Sequence, residues 1–110
     1  MIPSQMLKGM LEGCILEIIN KQETYAYEIS EKLSKYGFGE ISEGTVYPII
    51  LRLQKNDMIK STLRDSNSGP KRKYYRLTSS GIDALAQFKS NWRELNDAVN
   101  KLLEGDNDND

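Results

Sequence analysis

Histidine is absent from this chain, and cysteine occurs once, at Cys14. No His-based catalytic triad can be assembled, and no metal centre built on clustered histidines and cysteines. No disulfide can close within the chain, which fits a reducing compartment without requiring one. Long apolar runs are missing as well: residues 14–19 are interrupted by Glu17, with Lys8 and Glu12 just upstream. That stretch is too short and too charged to span a bilayer, and no signal peptide is visible. The expectation is a soluble cytoplasmic protein with no membrane partner and no cofactor. What is present suits one small globular domain, since 38% of the 110 residues are apolar and 28% charged, enough for a core and too apolar for disorder.

The net charge of −1 argues at first against a polyanionic partner, but the average conceals an uneven distribution. Residues 104–110 hold four acids and no base, and the rest of the chain is net positive. Between Arg64 and Arg76 there are five cations (Arg64, Lys71, Arg72, Lys73, Arg76) and one acid, Asp65. Local charge is what steers a polyanion. The tail over residues 105–110 places oxygens at Asp106, Asp108 and Asp110 like the start of a calcium loop. It lacks the glycine and the distal glutamate such a loop needs, so a solvated, disordered tail is expected.

Periodicity organises the remainder. Leu7, Leu11, Ile15 and Ile18 predict a helix over residues 4–20, with Met6, Met10, Cys14 and Ile19 widening its stripe. Thr24 is placed to cap a second helix over residues 25–36, which Gly37 ends. Ser42 caps a third, with Glu43 in its first turn and Val46, Ile49, Ile50 and Leu53 on one face. Gly44, Thr45, Tyr47, Leu51 and Arg52 lie off that face. Pro48 is tolerable there if residues 44–47 form the first turn, whose amides lack partners anyway.

Two strands are predicted over residues 58–65 and 71–77, joined by the turn formers of residues 66–70. Tyr75 and Leu77 are expected on one face, with Lys73 on the other. Thr78 caps a last helix reaching about Leu103. Its Leu85, Phe88, Trp92, Leu95, Val99 and Leu102 recur at alternating steps of three and four, a heptad seam that Ile82 extends. Such a seam needs a second helix, and a symmetry-related copy is the favoured supply. The fold class is therefore mainly α with a small β-wing: a winged helix-turn-helix plus a long C-terminal helix. Residues 1–77 make the DNA-binding domain, 78–104 the dimerisation helix and 105–110 the tail.

The chain resembles the PadR family of bacterial transcriptional regulators. The carrying segments are residues 25–29 (Tyr-Ala-Tyr-Glu-Ile), 42–48 (Ser-Glu-Gly-Thr-Val-Tyr-Pro), 53–59, and 72–78 (Arg-Lys-Tyr-Tyr-Arg-Leu-Thr) with Gly81 after it. With one helix after the wing, the chain is similar to the compact subfamily. That likeness implies a homodimer formed through the first and last helices, and in some members an aromatic effector bound at the dimer interface. Family members often carry glycine where Asp57 stands, so the third helix is expected to end less abruptly here.

On this reading Thr45 and Tyr47 meet base edges or phosphates, and Ser42 and Gly44 offer donors at the helix end. Lys71, Arg72 and Lys73 supply phosphate contacts, with Arg72 facing away from its two neighbours. Arg52 and Tyr27 stand between phosphate contact and ordinary surface or packing roles, and Tyr74 and Tyr75 are read as packing. Trp92 has two competing readings, a buried dimer anchor or a stacking plate for a planar aromatic effector. Phe88, Leu11, Ile15 and Leu95 would share its cavity, with Met6 and Met10 as a permissive lining. Cys14 fills core. The expected function is a homodimeric repressor that binds an inverted-repeat operator in double-stranded DNA. A winged-helix protein-interaction adaptor is the alternative. No residue set suggests an enzyme.

Overall fold

A computed structural model describes residues 1–67 and 69–105. The predicted first helix is broken in two. Gly9 sits at φ +88°, a conformation that costs glycine little and other residues much. It separates α1 (Ser4–Leu7) from α2 (Leu11–Lys21). The break turns α1 toward the C-terminal helix, while α2 buries Ile15, Leu16, Ile18 and Ile19 in the core.

The next helix, α3 (Ala26–Leu33), starts after Tyr25 and not at the predicted Thr24 cap. Thr24 is fully buried and serves the wing instead: its carbonyl accepts from the Tyr75 amide at 2.8 Å, and its hydroxyl donates to Glu28. The expected continuation to residue 36 becomes a π-helical turn, Ser34–Phe38, in which Gly37 takes the predicted left-handed conformation.

Helix α4 (Glu43–Lys55) is capped as expected, Ser42 Oγ accepting from the Thr45 amide at 3.3 Å. Val46, Ile49, Ile50 and Leu53 form its buried face. The first turn begins at Glu43, one residue earlier than expected, so Pro48 lies a little deeper in the helix. It is exposed, so the carbonyl it leaves without an amide partner is on the solvent side. The end of α4 is abrupt despite the missing glycine. Asp57 adopts φ +58°, its amide reaches Gln54 O at 3.0 Å, and the Met58 amide reaches Leu53 O at 2.9 Å. That is the two-bond pattern by which helices usually stop on glycine.

Strands β1 (Ile59–Ser66) and β2 (Gly69–Leu77) pair antiparallel, from Ile59 opposite Leu77 to Arg64 opposite Arg72. An irregularity between Arg64 and Ser66 then brings Ser66 opposite Gly69, so the ladder runs further into the turn than predicted. Lys73 shares the face of Tyr75 and Leu77, correcting the expectation. Alternation has a period of two, and Lys73 is exposed because the ribbon has by then run past the core, as has its partner Leu63.

Helix α5 (Ser79–Leu103) begins at the predicted Thr78 cap, whose hydroxyl accepts from the Gly81 amide at 3.0 Å and donates to Asp57 O at 2.6 Å. Leu85 is buried and Phe88 packs directly on α2 at Gly13, where any Cβ would fall 2.2 Å from the ring. Ile82, three residues before Leu85, is exposed, as are the seam residues beyond Phe88. Past Phe88 the helix leaves the body of the molecule: Trp92, Leu95 and Val99 are 44%, 52% and 41% exposed. The acidic tail lies outside the described residues. Among the described residues, no helix is long and apolar enough to cross a membrane.

Holding a non-glycine residue in the left-handed region costs on the order of 1 kcal/mol. Asp57→Gly should therefore stabilise the protein by up to about 1 kcal/mol, less what glycine gains in the unfolded chain. Urea unfolding checks this. A loss of stability would show that the aspartate side chain does more than tolerate the turn.

Candidate nucleic-acid interface

The side chains that α4 does not bury stand at its N-terminal end. Ser42, Glu43, Gly44, Thr45 and Tyr47 are all exposed. Ser42 accepts the Thr45 amide through its side chain, and its carbonyl accepts from Thr45 and Val46 at 3.0 and 3.1 Å. The amides of Glu43 and Gly44 keep no partner among the described residues. Gly44 adds no side chain in front of them, so this helix end can present bare donors to an anion.

The wing supplies the positive charge beside it. Lys71, Arg72 and Lys73 are exposed and have no acidic partner among the described residues. Arg72 lies directly opposite Arg64, a like-charge pair that would repel if left alone. Aromatic rings relieve it. The Arg72 guanidinium sits 4.4 Å from the Tyr25 ring centre, and Tyr25 meets Tyr74 edge-on at 5.2 Å. Arg64 sits 4.4 Å from the Tyr74 ring and pairs with Glu23. Each exposed cation–ring contact contributes about 0.5–1 kcal/mol. The ladder anchors the outer face of the wing to the segment before α3 and aims Arg72. In the sequence Arg64 counted only as one of the local cations and Tyr25 only as part of the 25–29 segment, and Glu23 was missed. The available signal was the hairpin register, which puts Arg64 opposite Arg72 and demands something to separate them.

Between α3, α4 and β2 lies a recess of about 300 Å³, lined by Tyr25, Tyr27, Tyr47, Arg72, Lys73 and Glu43 among others. Four of the predicted contact residues thus share one concavity. Tyr75 forms part of it and is buried as predicted, with its phenol pKa raised first by that burial and then by the nearby Tyr47. Tyr27 is half-exposed and not packed. Its phenol pKa is raised chiefly by a hydrogen bond to Glu31 and by that carboxylate's charge, so it remains a neutral donor at ordinary pH. Arg52 stands apart, its Nε 3.5 Å from Glu12 of α2. Thr45, exposed at the same helix end, lines a separate recess with Leu11 and Ile41.

The residues expected to surround Trp92 are dispersed. Ile15 is fully buried in the core of the protomer, Phe88 lies on α2 at Gly13, and Leu11 is beside Thr45. Trp92 and Leu95 do share a recess of about 340 Å³, closed on its other side by Met6, Leu7 and Met10. The methionine lining was anticipated; Leu7 and Phe38 were not. Cys14 lies half-buried on α2, and burial raises its thiol pKa, so the thiol is not activated.

Comparison with known proteins is consistent along the whole chain. The model of the transcriptional regulator PadR-like family matches residues 15–87. A PadR-like transcriptional regulator from Bacillus cereus is 53% identical with a TM-score of 0.84, covering 93% of this chain and 99% of its own. Transcriptional regulator Rv3488 of Mycobacterium tuberculosis is 30% identical over 91 residues, 83% of this chain and 80% of that protein. PadR of Bacillus subtilis, solved in complex with operator DNA, has a TM-score of 0.66 at 23% identity, over 73% of this chain and 46% of its own, which speaks to the fold alone. With its family model, its winged helix and its near-complete overlap with such relatives, this chain belongs to the PadR-like family of transcriptional regulators.

Proposed function

We propose that this chain is a cytoplasmic, homodimeric repressor that binds an inverted-repeat operator. The observation that carries the reading is the juxtaposition of the uncovered N-terminal end of α4 with the exposed Lys71–Arg72–Lys73 run of β2. A protein of the same fold from Bacillus subtilis engages operator DNA, which supports assigning these surfaces to a duplex. Thr45 and Tyr47 then read base edges in the major groove, and the amides of Glu43 and Gly44 hold a phosphate. Lys71, Arg72 and Lys73 supply affinity with little sequence information, and Tyr27, whose one O–H is given to Glu31, is left out of the contact set. Arg52 is drawn toward Glu12 of α2 by an exposed ion pair, and this reading leaves it off the duplex.

Pairing falls to α5. Trp92, Leu95, Val99 and Leu102 lie exposed along one seam, and α1 adds Met6 at its flank. Two copies of this surface bury each other and set two α4 helices about 34 Å apart, one turn of duplex. A planar aromatic effector between the two Trp92 rings changes the angle of the units and so their fit to the operator.

Retardation of the inverted repeat upstream of its own or a neighbouring gene, measured against random duplex at moderate salt, tests the first reading. Equal retention of both sequences would defeat it and favour the adaptor. Each phosphate neutralised adds roughly 0.9 to the salt slope, so Lys71→Ala with Lys73→Ala should flatten it by about 2, and Arg52→Ala should leave it unchanged.

Leu95→Glu with Val99→Glu should yield a folded monomer by sedimentation, with operator binding lost. A variant that stays dimeric would move the interface elsewhere. Titration of the single tryptophan with planar aromatic compounds should quench its fluorescence in step with operator release, whereas quenching without release would leave Trp92 a dimer anchor only.

A further inference from the structure

The junction of α2 and α5 holds a second cleft, which shares only Phe38 with the Trp92 recess and no residue with the recess at the reading end of α4. It encloses about 340 Å³ between Ile18, Leu33, Phe38, Leu85 and Phe88, with the Cys14 thiol on its wall. Phe88 is held there by its contact with Gly13. An adjoining recess of about 280 Å³ shares Ile18, Lys21 and Tyr36 with it and adds Lys32 and Lys35. Lys89 lines the other side. The apolar cleft thus has Lys21, Lys89 and one carboxylate, Glu17, on its own rim, and opens past Lys21 and Tyr36 onto a recess that carries Lys32 and Lys35.

Glu17 is already occupied. Its Oε1 lies 3.2 Å from Lys89 and its Oε2 3.9 Å from Lys21. The closer contact lacks hydrogen-bond direction, which leaves Oε1 shielded from water without a true donor, so that pairing is electrostatic only. Lys32 and Lys35 have no acidic partner among the described residues, although Lys32 is half-buried. Several cations gathered at the edge of an apolar surface attract an anion whose tail fits that surface, with the apolar contact fixing where the head lies.

We propose that this cleft binds an amphiphilic organic anion, its apolar tail between α2 and α5 and its carboxylate, sulfate or phosphate head on Lys21, Lys32 and Lys35. The walls come from α2, the turn after α3, and α5, so an occupant wedges the C-terminal helix against the DNA-reading unit. In the dimer proposed above, on which this consequence alone rests, that wedge alters the separation of the two α4 helices and hence operator affinity.

Octanoate, octanol and octylamine share a tail and differ in head charge, which makes them suitable probes. Cys14 is the only thiol, so its rate of modification by a thiol reagent reports occupancy directly. Octanoate, kept below its micellar concentration, should slow that modification several-fold, and more than either of the other two. Lys32→Gln with Lys35→Gln should weaken octanoate by about tenfold while leaving thermal unfolding unchanged. Equal protection by octanol or octylamine, or protection indifferent to the two lysines, would overturn the site. The same assay on the Leu95→Glu, Val99→Glu variant separates the two readings. Protection retained there supports the cleft whatever the oligomeric state, and protection lost there assigns the ligand to a dimer surface and overturns the proposal.

Discussion

The backbone hydrogen bond between the Tyr75 amide and the Thr24 carbonyl, with the Tyr75 ring buried beneath it, is what makes a usable interface out of two separate elements. A two-stranded ribbon is marginal in water on its own. Here Thr24 acts as a short third strand, and the Tyr75 side chain enters the same core as Ile29, Val46 and Ile50. The wing is thereby fixed relative to α3 and α4. The Arg72–Tyr25–Tyr74–Arg64–Glu23 ladder then ties down its opposite face. Without the Tyr75 anchor the cations of β2 would still be present, but they would have no set distance from the end of α4.

A second division runs along α5. Its first turns belong to the core, through Leu85 and the seating of Phe88 on Gly13. From Trp92 onward the same heptad stripe meets only Met6, Leu7, Met10 and Phe38 along one side and is otherwise exposed over about 17 Å of helix. One continuous hydrophobic pattern thus serves two environments. The boundary between them falls where the cleft between α2 and α5 and the Trp92 recess meet, and Phe38 lines both. Anything that shifts α5 at that boundary moves the whole exposed seam.

Much of the architecture was legible in the residues. Ser42 and Thr78 cap where their hydroxyls precede an apolar period, and the buried set of α4 follows from spacing alone. The turn at Asp57 and the break at Gly9 were not legible, because an aspartate or an isolated glycine in a periodic stretch permits a left-handed conformation without requiring one. Of the site residues, Ser42, Gly44, Tyr47, Arg52, Arg72 and Lys73 are exposed. The pairing of Arg52 with Glu12, far away in the sequence, was not legible, nor was the burial of Ile15 on all sides within the protomer core.

Local chemistry, then, dictated the elements: caps, periods, turn residues, the basic run and the heptad seam all depend on near neighbours in the chain. Which of those residues meet was decided by packing. Tyr25 under Arg72, Glu12 beside Arg52, Thr24 against Tyr75 and Lys21 with Lys89 at one apolar cleft join segments separated by tens of residues. Such contacts arise from burying several amphipathic faces at once, a condition on the whole molecule that no local period encodes.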